Sequence, residues 1–388
     1  MNSTPASMLH GEPALQAFRE GMSAQAENRA LLLGEANDWL LTTPPTVVTK
    51  KHYAPSGDRH DYVSIAPYVW PDPTKADGLP WISRDGEVNP VFYSYDNATF
   101  EAFCHGTIRL QLAAAATATT VEALAYAQQA GRFLRTWFVD ESTRMNPHLR
   151  YAQFVPGVHE GSFGGIIDTT SLVFVLDAIS RLPFNEEWTP EHLAGVKTWV
   201  SDYLDWLLGD FARPEGEMGN NHGTWYDAQV TSFAFFCDRP EVARRQIETA
   251  TRRRIAKQFA PDGSQPHELR RTLSFTYCTY NLLAFACVGR IAARLGLDLW
   301  DATTFEGATL RKGLDWMLPY FAGERIWTHQ QLKPFNPGSA VLLLNLAWQA
   351  TGDPALPPVM VRVTKHPWQA ITLSKADLTG RKAPRAAR

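Results

Sequence analysis

Asn220-Asn221-His222-Gly223-Thr224-Trp225-Tyr226-Asp227-Ala228-Gln229 sets two amides, an imidazole, an indole, a phenol and a carboxylate at the head of the apolar run Val230 to Phe236. The loop Arg213-Pro214-Glu215-Gly216-Glu217-Met218-Gly219 precedes it, so these polar groups fall where a loop becomes a helix. That is the composition of a site carried on a helix start.

Helical periodicity extends outward from this stretch in both directions. Upstream, residues 14–41 repeat through Leu15, Phe18, Met22, Leu32 and Trp39, and Ala102 to Thr119 pairs with Val121 to Phe138. Ser171 to Leu182 follows with Asp168 or Thr169 as its N-cap, and Thr189-Pro190-Glu191 opens a helix that runs to Leu208. Downstream, Pro240 to Phe259 is a basic helix whose Arg244, Arg245, Arg252, Arg253 and Arg254 read as a solvated face. Glu268 to Leu295, Phe305 to Phe321 and Ala340 to Ala350 are helical, and beyond Gly352 the Pro-rich, then basic tail reads as loosely packed and disordered from about 375. No segment sustains period-two alternation. The expected fold is therefore all-α, an incomplete (α/α) toroid or barrel of roughly six or seven helical hairpins in a single domain spanning residues 1–388.

Two long loops interrupt the helices. Residues 47–95 are dense in Pro, Gly, Asp and aromatics, Tyr68, Trp70 and Trp81 among them, and residues 144–157 carry Asn146, His148 and Gln153. Ordered loops of this length line or lid a cleft.

Composition narrows the partners. A net charge of -3 argues against nucleic acid, and leaves room for a local basic lining that takes an acidic polymer. The 13 Trp and 12 Tyr suit sugar rings or a helical core. Cys104, Cys237, Cys278 and Cys287 lack CxxC spacing, and no two His have ligand spacing on one helix, so neither a metal nor another cofactor is expected. With no basic start followed by an apolar run, and no apolar stretch of about 18 residues, no membrane partner is expected. The chain reads as cytoplasmic as written, or periplasmic or secreted if a leader was removed. Its oligomeric state is not legible.

Four motifs in this order resemble the alginate-lyase superfamily of polysaccharide lyases. They are Asn220 to Tyr226; Gly164-Gly165-Ile166-Ile167-Asp168-Thr169; Glu268-Leu269-Arg270-Arg271-Thr272 with Tyr277; and Ser64 to Pro73 with Asp85-Gly86-Glu87-Val88-Asn89-Pro90. The last resembles the compact single-domain branch near polysaccharide lyase family thirty-eight. The resemblance covers about His60 to Asn281 and implies an incomplete toroid that cleaves alginate or a glucuronan-like polyuronate by β-elimination. It further implies a catalytic centre of Asn221, His222 and Tyr277, with Arg271 as basic partner.

The chemistry fits those residues. Taking the C5 proton of a uronate requires that the neighbouring carboxylate be neutralised, a task for Asn221 assisted by Arg271 and Asn220. Tyr277 would need a cationic neighbour to act as a phenolate base, whereas a neutral imidazole such as His222 is a competent base near pH 7. In a syn elimination, expected on mannuronate, Tyr277 serves as base and then acid; in an anti elimination, expected on guluronate or glucuronate, His222 is base and Tyr277 acid. Arg270 competes with Arg271 for the cleft. Tyr68, Trp70, Trp81, Asn146, His148, Gln153, Trp225 and His329 are candidates for sugar subsites.

Two rival readings remain. One is a toroidal glycoside hydrolase using a pair among Glu160, Asp168, Asp227 and Glu268. The other is a polysaccharide-binding protein without turnover.

Overall fold

Helices that are apolar on every side must be buried on every side, and this sorts the chain into two layers. The computed structural model describes residues 6–117, 120–304, 307–374 and Asp377; Phe305 and, Asp377 apart, the expected disordered tail lie outside the described residues. In chain order the helices are α1 (Glu12–Ala24), α2 (Ala26–Leu40), α3 (Asp96–Ala116), α4 (Thr120–Phe138), α5 (Leu172–Ile179), α6 (Pro190–Leu207), α7 (Arg213–Glu217) and α8 (Asn221–Phe236). There follow α9 (Pro240–Gln246), α10 (Arg252–Gln258), α11 (Pro266–Leu269), α12 (Ser274–Arg294), α13 (Leu310–Phe321), α14 (Gly338–Thr351) and α15 (Leu356–Val363).

Helices α3, α5, α8, α12 and α14 are buried along most of their length. They pack in succession, α3 on α5, α5 on α8, α8 on α12 and α12 on α14, and form the inner layer. Amphipathic partners back them from outside: α4 on α3, α6 on α8, α13 on α12 and α15 on α14. The result is an α/α toroid, with a main apolar core that runs from Met8 to Leu373 and a small second cluster of Ile65, Val69 and Phe92.

The structure departs from the sequence reading in five places, the first being that the helix read from Glu268 to Leu295 is broken: α11 ends at Leu269 and α12 begins at Ser274, so Arg271 lies in the link between them. Short strands are present: β1 (Val63–Ile65) pairs in parallel with β4 (Tyr151–Phe154), and β2 (Val69–Trp70) pairs antiparallel with β3 (Ile82–Ser83). At two to four residues each they are too short to show alternation, yet β1 and β4 stitch the two long loops together and β2 and β3 brace the first. Asp168 is no helix cap, because residues 163–169 form a 3-10 turn and the Asp168 carboxylate accepts from Tyr62, Ser64 and Gln153 at 3.2, 2.6 and 2.8 Å. The basic helix is broken by a π-turn, Ile247–Thr251, between α9 and α10, and Arg254 is turned inward at 6% exposure instead of joining a solvated face. The segment after Gly352 is packed: Leu356 and Val359 on α15, then Trp368, Ile371 and Leu373, are all buried in the core. Its prolines concealed a helix because Pro is tolerated in a first turn.

Both ends of the chain are tied down by buried histidines. His10 bonds the carbonyl of Ile371 at 2.6 Å, and His105 on α3 bonds Ser374 at 2.8 Å. Burial pushes their pKa values down from 6.5, to about 4 for His10 and about 3 for His105. A depressed folded-state value means the unfolded chain binds the proton first, so their contribution is intact above pH 6.5 and is lost as the pH falls towards about 3. A thermal melt series is expected to show stability falling across this window by on the order of 3 kcal/mol per histidine. His105→Gln should make the fall shallower; an unchanged slope would contradict this origin.

Candidate active site

Helix α8 starts where it does because the Asn220 side chain accepts the His222 N–H at 3.1 Å, the N-cap that the residue type favours. This cap places Asn221 and His222 in the first turn. Asn221 donates twice to the buried Glu268 of α11, from its backbone N–H at 2.7 Å and from Nδ2 at 2.9 Å. Burial pushes the Glu268 carboxyl up, and the two Asn221 donors oppose that. One Nδ2 hydrogen goes to Glu268, which leaves the other available.

His222 is aimed by a residue the sequence reading missed. Its Nδ1 lies 2.7 Å from Oε1 of Glu215, a fully buried carboxylate on α7. An acceptor there keeps the hydrogen on Nδ1 and leaves a lone pair on Nε2. Arg254 holds the loop that carries Glu215: its guanidinium pairs with buried Asp227 at 2.8 and 3.2 Å and donates to the carbonyls of Gly216, at 2.6 Å, and Met218. Gly223 makes room for this, since a Cβ there would stand 2.2 Å from Arg254 Nη1 and 2.3 Å from the Met218 oxygen.

The opposite wall comes from α12 and the first long loop. Tyr277 on α12 shares a 2.9 Å hydrogen bond with the hydroxyl of Tyr68. Arg271 lies over the Tyr277 ring, 3.7 Å from its centroid, and donates to Asp85 from Nε at 3.1 Å and from Nη2 at 2.5 Å. Burial pushes the Asp85 carboxyl up, but Arg271 and Thr272 outweigh it and hold it below its ordinary value. Gly86 lets the loop dock this closely, having a φ of 79° and no Cβ to meet Thr272 Oγ1 at 2.5 Å. Burial pushes the Tyr277 phenol well above its ordinary value, and Arg271 does not reverse this. Burial keeps the phenol protonated at rest, and the nearby Tyr68 and Asp85 act in the same direction.

These walls enclose a cleft of about 380 Å³. Asn221, His222, Arg271 and Tyr277 all line it, with Tyr68 and Gln153 beside them. Gln153 sits at the register irregularity between β1 and β4 with a left-handed φ of 47°, a strain of the kind that gathers at functional sites. Gln331, Lys333 and Asn336 also line the cleft and carried no sequence motif.

The other candidates lie outside this lining. Trp225 is 0% exposed and packs on Tyr280 with centroids 4.7 Å apart, so it is core and no sugar platform. Arg270 points to solvent, and Asn220 caps the helix. Trp70 folds back on its own loop, its indole donating to the Glu87 carbonyl at 2.9 Å, and Trp81 is likewise not in the lining. Asn146 and His148 clamp Asp61 at 2.7 and 3.1 Å, and His329 is exposed beside Trp327.

No Asp or Glu is among the described residues that line the cleft. Asp168, Asp227 and Glu268 are buried and engaged as above, while Glu160 is exposed on a different surface. A hydrolase needs two acids flanking the scissile bond, and the cleft offers none. Among the described residues no three His, Cys, Asp or Glu converge as a metal site, and no helix is long and apolar enough to cross a membrane. The four cysteines form no disulfide.

A helical toroid whose cleft holds an amide, an imidazole, a phenol and a guanidinium in place of paired acids is built as a polysaccharide lyase. Sequence comparison makes this specific. The chain belongs to the alginate lyase family, whose sequence model matches residues 46–327. An alginate lyase from Bacteroides ovatus is similar at 31% identity and a TM-score of 0.86, covering 94% of this chain and 98% of that one. Alginate lyase A1-III from Sphingomonas species A1 matches at 16% identity with a TM-score of 0.51 and 93% of each chain covered. A variant of A1-III complexed with a tetrasaccharide also matches at 16% and 0.51, over 89% of this chain and 86% of that one. These two show a shared fold. No curated protein sequence matches the chain.

Proposed function

We propose that this polysaccharide lyase acts on alginate, with His222 as base and Tyr277 as proton donor. The observation that carries this reading is the pairing across one cleft of an imidazole held by Glu215 with a phenol that burial keeps protonated. The uronate carboxylate accepts the second amide hydrogen of Asn221 and a hydrogen bond from Nη1 of Arg271, whose Nε and Nη2 go to Asp85, which lowers the cost of carbanion character at C5. His222 Nε2 takes the C5 proton, the electron pair forms the C4–C5 double bond, and the C4–O4 bond breaks. Tyr277 gives its phenolic proton to O4, and Tyr68 hydrogen-bonds the oxygen left behind. The products are a 4,5-unsaturated uronate end and a new chain end.

Stereochemistry tests the order of these steps. Guluronate has its C5 hydrogen and O4 anti, which suits a base and an acid on opposite faces. Glucuronate, grouped with guluronate in the sequence reading, shares the C4 and C5 configuration of mannuronate and belongs with the syn case. Incubation with polymannuronate, polyguluronate, glucuronan and a hyaluronan-type polymer, read out as ultraviolet-absorbing ends, is expected to show polyguluronate cleaved fastest. Faster cleavage of polymannuronate would reassign the base to Tyr277. Hydrated reducing ends without absorbance would overturn the lyase reading, and binding without turnover would leave only a polysaccharide-binding protein.

A further inference from the structure

Strand β4 separates the cleft from a second groove. Gln153 lines the cleft, whereas Tyr151 and Phe154 line two hollows of about 390 and 630 Å³ that share Pro55 and Glu160 and so run together. Neither hollow includes Asn221, His222, Arg271 or Tyr277.

The groove is lined by basic side chains and one acid. Lys51, His52 and His159 face one hollow and Arg150 the other, against a single acid, Glu160. Other cations on the surface are held by acids, as Arg239 is by Asp205 at 2.7 Å and Arg311 by Asp301 at 2.5 Å. Among the described residues neither Lys51 nor Arg150 is in an ion pair, although the chain as a whole carries a net charge of -3. Unpaired cations along one groove raise the local concentration of an anion.

Aromatic faces lie between the cations. Tyr53 is 53% exposed, His52 stacks on Tyr95 with centroids 4.4 Å apart, and the Arg150 guanidinium lies over Phe211 at 5.8 Å. The frame is firm: Val155 and His159 close a hairpin with 3.1 Å bonds in both directions, and a Cβ on Gly161 would stand 2.0 Å from the Arg150 carbonyl oxygen. Flat apolar faces alternating with carboxylate-binding cations match the repeat of an acidic sugar chain, whose rings offer C–H faces and whose carboxylates recur along its length.

We infer that the groove formed by Lys51, Tyr53, Arg150 and their neighbours is a second, non-catalytic binding site for an acidic polysaccharide chain. It rests on the polyuronate reading above for the identity of the ligand. The site grips the polymer at a distance from the bond being cleaved, so it raises the occupancy of the cleft on long chains and leaves short ones unaffected.

The test is a triple variant of the whole chain, Lys51→Ala with Tyr53→Ala and Arg150→Ala, all at exposed positions. Wild-type migration in a native gel containing alginate should be retarded and a neutral dextran gel should have no effect. The variant is expected to lose most of that retardation and to show KM on polymeric alginate raised about five- to tenfold, with kcat unchanged. Its turnover of an alginate tetrasaccharide should match wild type, and the charge-retaining Lys51→Arg with Arg150→Lys should bind as wild type does. Unchanged retardation and KM in the triple variant would overturn the second site, as would an equal loss on the tetrasaccharide, which would make the groove part of the cleft. If wild type cleaves no polyuronate, the functional reading fails; retardation by acidic polymer that the triple variant loses would still uphold the groove.

Discussion

Replacing Tyr277 by Phe is expected to lower kcat for unsaturated-end formation by about two to four orders of magnitude, the range for a positioned general acid. The substitution removes one oxygen and little else. The ring would keep its place under the Arg271 guanidinium, and Arg271 would stay on Asp85. Only the 2.9 Å bond to Tyr68 is lost, so the melting temperature should barely move and KM should change little. Tyr68→Phe is expected to have the same sign and a smaller size, because Tyr68 touches the donor and not the leaving oxygen. A Tyr277→Phe enzyme with wild-type rates of absorbance increase would end the proposed mechanism.

Arg254→Met is expected to destabilise the protein by about 3–5 kcal/mol, the cost of leaving a buried charge without its partner. Asp227 is 0% exposed, and its remaining donors, Gln246 at 2.8 Å and Thr251 at 3.0 Å, are neutral. The same change frees the Gly216 and Met218 carbonyls, on either side of the turn that follows Glu215. Activity should therefore fall along with stability, through the loss of aim on His222. Adding Asp227→Asn should recover part of the stability, since no buried charge is then left over. Urea midpoints for the single and double variants decide this: a wild-type midpoint for Arg254→Met would refute it. Gly223→Ala should act on the same contact from the other side, because the Met218 backbone cannot yield to a Cβ as a flexible side chain could.

Much of the site could be read because it is built on local signals. Asn220 is a favourable cap, so Asn221 and His222 fall in a first turn wherever the rest of the chain goes. Tyr277 lies in the first turn of α12, which no side chain caps, and its motif with Arg271 marked it instead. The partners of these groups were not legible, since they come from other elements. Asp85 meets Arg271 across 186 positions, and Glu268 meets Asn221 across 47. Glu215 is only 7 residues from His222, yet nothing in its loop marks it as the buried acid. Arg254 was misread because a π-turn cannot be seen in a pattern of charges, and the C-terminal segment because its prolines resemble a linker until α15 is seen packed on α14.

Sequence alone determined the helical class, the toroidal architecture and the set of groups offered for elimination, because periodicity, capping and motif order are properties of neighbouring residues. Tertiary structure decided which of those groups face the cleft: Arg271 and not Arg270, Tyr68 and not Trp225. It also decided how they are held, with burial keeping the Tyr277 phenol protonated and the Glu215 carboxylate set against Nδ1 of His222. Desolvation and charge pairing set those states, and both depend on what distant segments bring within a few ångströms.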